Sequence, residues 1–195
     1  MKNPFDIGFY EAQELRAMGL GAVGEGVRIA KNCLIVGDLS KISLGNHTRI
    51  DAFTSLIATG PLTLGAQVHV ASYCHLSAGD GITLEDFSGL SQGVQLYSRT
   101  DDYSGEWMTN PTVPGEYTRI IAGPVVVGRH AILGANTVVL PGVTVGEGCS
   151  IGAQSLVKES LAPWGMYAGC PVRRIRERSR ALLKHEAAFH DTNKH

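Results

Sequence analysis

Val127-Gly128-Arg129-His130-Ala131-Ile132-Leu133-Gly134-Ala135-Asn136-Thr137-Val138-Val139 places an aliphatic residue at every sixth position, and the series continues through Val145, Ile151 and Val157. Gly follows Val127, Leu133, Val145 and Ile151, and a small or short residue returns four places after five of the six aliphatics: Ala131, Thr137, Val143, Cys149 and Ser155. This is neither helical periodicity nor simple strand alternation. A strand this short must turn a corner before the next begins, so the chain winds into a solenoid whose turns are buried only by their neighbours.

Longer recurrences give the number of faces. Ile132-Leu133-Gly134-Ala135 returns as Ser150-Ile151-Gly152-Ala153 after 18 residues, or three hexads. Upstream the offset is 20, through Ile42-Ser43-Leu44-Gly45, Leu62-Thr63-Leu64-Gly65 and Ile82-Thr83-Leu84-Glu85, which is three hexads and a two-residue bulge. The expected coil is triangular. Leu44, Leu64, Leu84, Val127 and Val145 stack on the first face; Ile50, Val70, Leu90, Leu133 and Ile151 on the second; Leu56, Leu76, Leu96, Val139 and Val157 on the third. Stacked copies pair their backbones into parallel sheets. Gly26, Asn32, Asn46, Gly65, Gly93, Asn136 and Gly148 are expected to take the left-handed corner conformations.

Composition fits one thin-cored domain: 195 residues, 44% hydrophobic but only 7% aromatic. A net charge of -1 gives no electrostatic footprint for nucleic acid or an anionic membrane surface. No apolar run approaches a membrane span, and Met1-Lys2-Asn3-Pro4-Phe5-Asp6 lacks the apolar stretch of a signal peptide, so the expected location is cytoplasmic with no integral membrane segment. Cys33, Cys74, Cys149 and Cys170 show no CxxC spacing and read as buried reduced thiols, with no metal.

Three segments depart from the repeat. Residues 1–22 form an N-terminal cap with a short helix over about Phe9 to Met18, closed by Gly19. The solenoid spans residues 23–172 and carries a long loop at 97–124, whose Tyr103, Trp107, Tyr117 and paired acids argue against disorder. Residues 173–195 form a C-terminal helix, starting at about Arg174, and a tail.

The hexads, the long loop after Leu96, and the run from Val127-Gly128 to Gly169-Cys170-Pro171-Val172-Arg173 resemble the hexapeptide-repeat acyltransferases, an all-β solenoid family with the left-handed parallel β-helix fold. Leu96-Tyr97-Ser98, Asp101-Asp102-Tyr103-Ser104-Gly105 and Asn110-Pro111-Thr112-Val113-Pro114 resemble the sugar O-acetyltransferase branch, in particular its polysaccharide biosynthesis members. The resemblance covers about Val23 to Arg178. It implies the left hand, a homotrimer, and acetyl-coenzyme A lying in the groove between neighbouring prisms. It also implies transfer of acetyl to a hydroxyl of a sugar or glycan precursor, with a small-molecule sugar or nucleotide-sugar as the acceptor.

Such transfer needs a base for the acceptor's proton, a donor for the oxyanion and backbone that a pantetheine arm can approach. Gly134-Ala135 and Gly152-Ala153, one coil apart, offer that track, and the resemblance places the thiol arm beside Ala135 and Ala153. Pro171-Val172-Arg173 with Arg176 resembles the family's pattern at the nucleotide end, where guanidinium groups clamp phosphate. Lys158 stands one place before the position where the branch often carries Lys. The loop's Ser98-Arg99-Thr100-Asp101-Asp102 lacks the His of galactoside-type members. His185, His190 and His195 lie in the terminal segment, and His47 and His130 sit at corners, where exposure is the ordinary explanation. His69 and His75 each precede an inward aliphatic and so point outward on adjacent faces. Val68-His69-Val70-Ala71 resembles a run of the polysaccharide branch, which favours His69 as general base with His75 as the second candidate. Asp101 or Asp102 is expected to fix the His tautomer or bind sugar hydroxyls, with Tyr103 and Trp107 stacking on the sugar ring. Two alternatives stay open at this point. One is an N-acetyltransferase on an amino-sugar nucleotide. The other is a zinc hydratase of the carbonic-anhydrase kind or a non-enzymatic scaffold.

Overall fold

A computed structural model describes residues 6–192. The chain is a three-faced parallel solenoid. The first face is a 6-stranded sheet holding Ala22–Val23, Ile42–Leu44, Leu62–Leu64, Ile82–Leu84, Val125–Val127 and Thr144–Val145. The third is a 6-stranded sheet from Leu34–Gly37 through His75–Ser77 and Gln95–Tyr97 to Leu156–Val157. The second has nine strands, because antiparallel strands close both of its ends.

The stacking inferred from the recurrences is the stacking observed. Leu44 pairs Leu64, which pairs Leu84, then Val127 and Val145. Ile50, Val70, Leu90, Leu133 and Ile151 are in register on the second face. Leu56, Leu76, Leu96, Val139 and Val157 are in register on the third. All these side chains are buried. The reason for the small residue four places on is also visible, since it is buried beneath the next coil, and at several coils it donates to it. Thr48 Oγ1 donates to Gly65 O at 2.7 Å, Thr54 Oγ1 to Ala71 O at 3.1 Å and Cys74 Sγ to Ser91 O at 3.2 Å.

Four local readings are corrected. On the first two faces the left-handed corner residue commonly stands third after the aliphatic, so His47, Phe53, Gln67, Tyr73, Phe87, His130 and Gln154 take it alongside Gly26, Gly93, Asn136 and Gly148, whereas Asn32, Asn46 and Gly65 do not. The N-terminal cap opens with a strand, Phe9–Glu11, antiparallel to Arg28–Ala30, and helix α1 covers only Ala12–Ala17. The exposed edge of the second face recruits Phe9 and Tyr10, while Leu15 of α1 buries itself over the first coil. At the other end, Val172–Glu177 is a strand antiparallel to Gly165–Gly169, and helix α2 begins only at Leu182 and runs to Thr192. Pairing to that open edge overrides the helical reading from Arg174. Within 97–124 the base of the loop is a hairpin, Arg99–Asp101 with Ile120–Ala122.

Two further readings change once α2 is placed. His130 is buried, not exposed: its Nε2 lies 2.8 Å from Glu186 Oε2 and its ring stacks on Phe87 at 5.1 Å. The four thiols are free, but Cys33 is half-buried and Cys170 exposed; only Cys74 and Cys149 are buried, and burial pushes the Cys74 thiol up to about 11. His195 lies outside the described residues, as do residues 1–5 of the cap.

Candidate functional site

The corner between the second and third faces gathers the candidate chemistry. Strand alternation turns His69 outward on the second face, in register between Arg49 and Gly89. Its Nε2 lies 2.8 Å from Asp51 Oδ2, and Arg49 Nε donates to the other oxygen of Asp51 at 2.7 Å. Burial acts to raise the Asp51 pKa, but the hydrogen bonds from His69 and Arg49 outweigh it and hold the carboxyl below its ordinary range. An ionised Asp51 can only accept, so His69 Nε2–H donates to it and Nδ1 is the ring nitrogen left to act as a base. Within the chain the partner of His69 is therefore Asp51, not Asp101 or Asp102. Asp102 accepts from the Ser104 amide at 2.7 Å and Asp101 from the Asn110 amide at 3.2 Å, so both carboxylates shape the loop. A signal for Asp51 existed: it occupies the corner position that other coils fill with Ala71, Ser91, Gly134 and Gly152.

His75, across the corner on the third face, stands in register between Ser55 and Gln95 and tilts against Tyr97 at 5.5 Å. Burial lowers its pKa. Tyr97 Oη donates to Gln95 Oε1 at 2.6 Å, and its own pKa is raised by burial first and by nearby Tyr103 second. Tyr103 and Trp107 are both exposed on the loop. Two more exposed aromatics, Phe53 and Tyr73, stack at 5.2 Å along the corner; the sequence reading missed them because hexad positions before a Thr or Cys carry no aromatic signature.

Farther along the same corner, Ala135 and Ala153 are stacked by the Gln154 N–H, which donates to Ala135 O at 2.7 Å. The Ala135 and Ala153 amides themselves donate to nothing among the described residues, so they fit the carbonyl groups of a pantetheine arm. Gly134 has a different origin. A Cβ there would stand 2.5 Å from Ala153 N, so coil stacking requires the glycine. Gly134→Ala is accordingly expected to destabilise the fold by about 1–3 kcal/mol through overpacking, read as a lower Tm in thermal unfolding. Gly152 is less constrained, with Ala168 Cβ at 3.0 Å.

Of the C-terminal arginines, Arg178 donates to the carbonyls of His130, Gly148 and Cys149, Arg180 covers Trp164 and Arg174 pairs with Glu177. Arg173 and Arg176 project from the last strand, exposed, with no carboxylate partner among the described residues. Lys158 is exposed and lies 3.6 Å from Glu159. Among the described residues no three His, Cys, Asp or Glu side chains come together as metal ligands, and no helix is long and apolar enough to cross a membrane.

A parallel triangular coil with an Asp–His pair and a small-residue track on one corner defines a class. The chain belongs to the hexapeptide-repeat acyltransferase family, with the left-handed parallel β-helix fold, and it is an acyltransferase acting on sugars. The bacterial transferase hexapeptide pattern (six repeats) matches residues 120–159. The chain is 39% identical over 177 residues to the dTDP-4-amino-4,6-dideoxy-D-glucose acyltransferase of Escherichia coli, covering 90% of this chain and 92% of that one. It superposes with TM-score 0.91 and 39% identity on AntD, an N-acyltransferase from Bacillus cereus in complex with dTDP and 3-hydroxybutyryl-CoA, covering 95% and 97% of the two chains. A candidate lipopolysaccharide-biosynthesis O-acetyl transferase of Escherichia coli K12 is 28% identical over 68% of this chain and 67% of its own.

Proposed function

We propose that the protein is an acyl-coenzyme A-dependent N-acyltransferase whose acceptor is the amino group of a nucleotide-linked amino sugar, and that it works as a homotrimer in the cytoplasm. The observation that carries this reading is the full-length match to AntD, whose bound dTDP and acyl-CoA are the two ligand halves such a reaction needs. Ester formation on a sugar hydroxyl, ranked first by the sequence, rests on a relative that matches two thirds of the chain at lower identity. The exposed Phe53, Tyr73 and Ile132 give the outer surface the apolar area that a sister subunit would cover.

In this reading Ala135 and Ala153 carry the pantetheine arm, and Arg173, Arg176 and Lys158 meet phosphate oxygens. His69, held by Asp51, takes the proton that the amine sheds as it attacks the thioester carbonyl, and passes a proton to the departing sulfur. His75 faces the acceptor from the neighbouring face, and Tyr103 and Trp107 pack on the sugar. The test is coenzyme A release against a panel of nucleotide-linked amino sugars and their hydroxyl counterparts. Turnover is expected with the amines alone, giving a product stable to alkaline hydroxylamine, which cleaves an oxygen ester. A hydroxylamine-labile product from a hydroxyl acceptor would replace the amide with the ester.

A further inference from the structure

Gly89 has no structural reason to be a glycine. Its φ is not among the positive ones, and a Cβ built on it meets nothing within 4 Å. Gly134, by contrast, is demanded by the coil beneath it. A glycine inside a strand weakens it, and where no turn or contact requires one it marks the close approach of something else. Gly89 stands in the ladder between His69 on one side and Ile132 on the other, so the missing side chain leaves a hollow directly beside His69. That hollow opens into a cavity of about 500 Å³ whose apolar side is Phe87, Ile132, Leu182 and Phe189 and whose polar side includes Arg178 and Glu186.

The geometry points to Gly89 as the residue that sets acyl-chain selectivity, with the donor's acyl group lying over it and its carbon chain directed along the apolar side of the cavity beneath α2. This rests on the proposed use of acyl-coenzyme A and of His69. The thiol end of the donor lies beside Ala135, on the same coil as Ile132, while the base lies two rungs away at His69. With rungs about 4.8 Å apart and reacting atoms needing to come within about 3–3.5 Å, the carbonyl has to cross the rung between them, which is that of Gly89. Without a side chain there, the hydrocarbon beyond the carbonyl has room that the Ala135 and Ala153 corner alone does not give it.

The test compares acetyl- and butyryl-coenzyme A on the wild type, Gly89→Ala and Gly89→Val, by calorimetric binding without acceptor and by kcat/KM with it. The wild type is expected to bind and use both donors. Gly89→Val is expected to lower the butyryl-to-acetyl ratio by about 10–200-fold, the range for a misfitted methylene in an apolar pocket. An unchanged ratio, or a wild type that rejects butyryl-coenzyme A, overturns the inference. Because the binding arm uses no acceptor, it still answers if the amino-sugar reading fails. Gly89→Ala serves as the folding control and is expected to keep or raise Tm, since the backbone is ordinary and the space empty. If Gly89→Ala instead changes the sedimentation mass, the glycine makes room for a second copy's backbone and the assignment falls.

Discussion

His69→Ala is expected to lower kcat by about 10²–10⁴ while leaving coenzyme A affinity unchanged. The range is that for loss of a positioned general base, and the geometry is of that kind: an outward imidazole on a rigid strand, its Nε2 held by Asp51 at 2.8 Å. An amine acceptor puts the loss toward the lower end, because a free amine needs less help than a hydroxyl. Asp51→Asn removes the charge that stabilises the protonated ring but keeps a hydrogen-bonding partner, so a smaller fall in kcat is expected, with KM for the donor steady. His75→Ala is the comparison that gives the result meaning. Full turnover in His69→Ala together with loss in His75→Ala would transfer the role to the third face, where His75 leans on Tyr97.

The second large effect concerns the solenoid itself. Leu84 is fully buried on the first face, in register between Leu64 and Val127. Leu84→Ala is expected to cost about 2–5 kcal/mol, the range for truncating a buried leucine into a cavity that cannot collapse. At about 2–4 °C per kcal/mol for a chain of this size, Tm should fall by roughly 4–20 °C in a thermal melt. The coil has little means of relaxing, since each turn contacts only the turns on either side and every neighbouring rung is pinned by backbone pairing. Leu84→Met, which keeps the volume, should lose less than about 1.5 kcal/mol. A melt of Leu84→Ala indistinguishable from the wild type would mean that the stacked aliphatics are not what holds adjacent coils together.

The solenoid was legible because its signal is local and repeated. An aliphatic every six residues and offsets of 18 and 20 assign all fifteen stacked positions to their faces, and strand alternation then places His69 and His75 outward. The same local reasoning fails at the two ends. Arg174 lies in a helix-like charge pattern, yet Val172–Glu177 is drawn into a strand because the last rung of the second face offers unpaired backbone. It fails again at His130, whose burial depends on α2 returning across the corner to bring up Glu186, 56 residues away in sequence.

From the sequence alone came the triangular coil, the register of its three faces and the residues each face turns outward, since backbone alternation and the hexad spacing leave those no freedom. Only the tertiary structure decided which charged groups meet and where space remains. Asp51 rather than Asp101 or Asp102 reaches His69, Arg173 and Arg176 stay exposed while Arg178 turns in to bond backbone carbonyls, and the space over Gly89 is left empty. Those outcomes depend on which coil lies against which and on how the end segments fold back, and contacts between residues many positions apart leave no periodic trace in the chain.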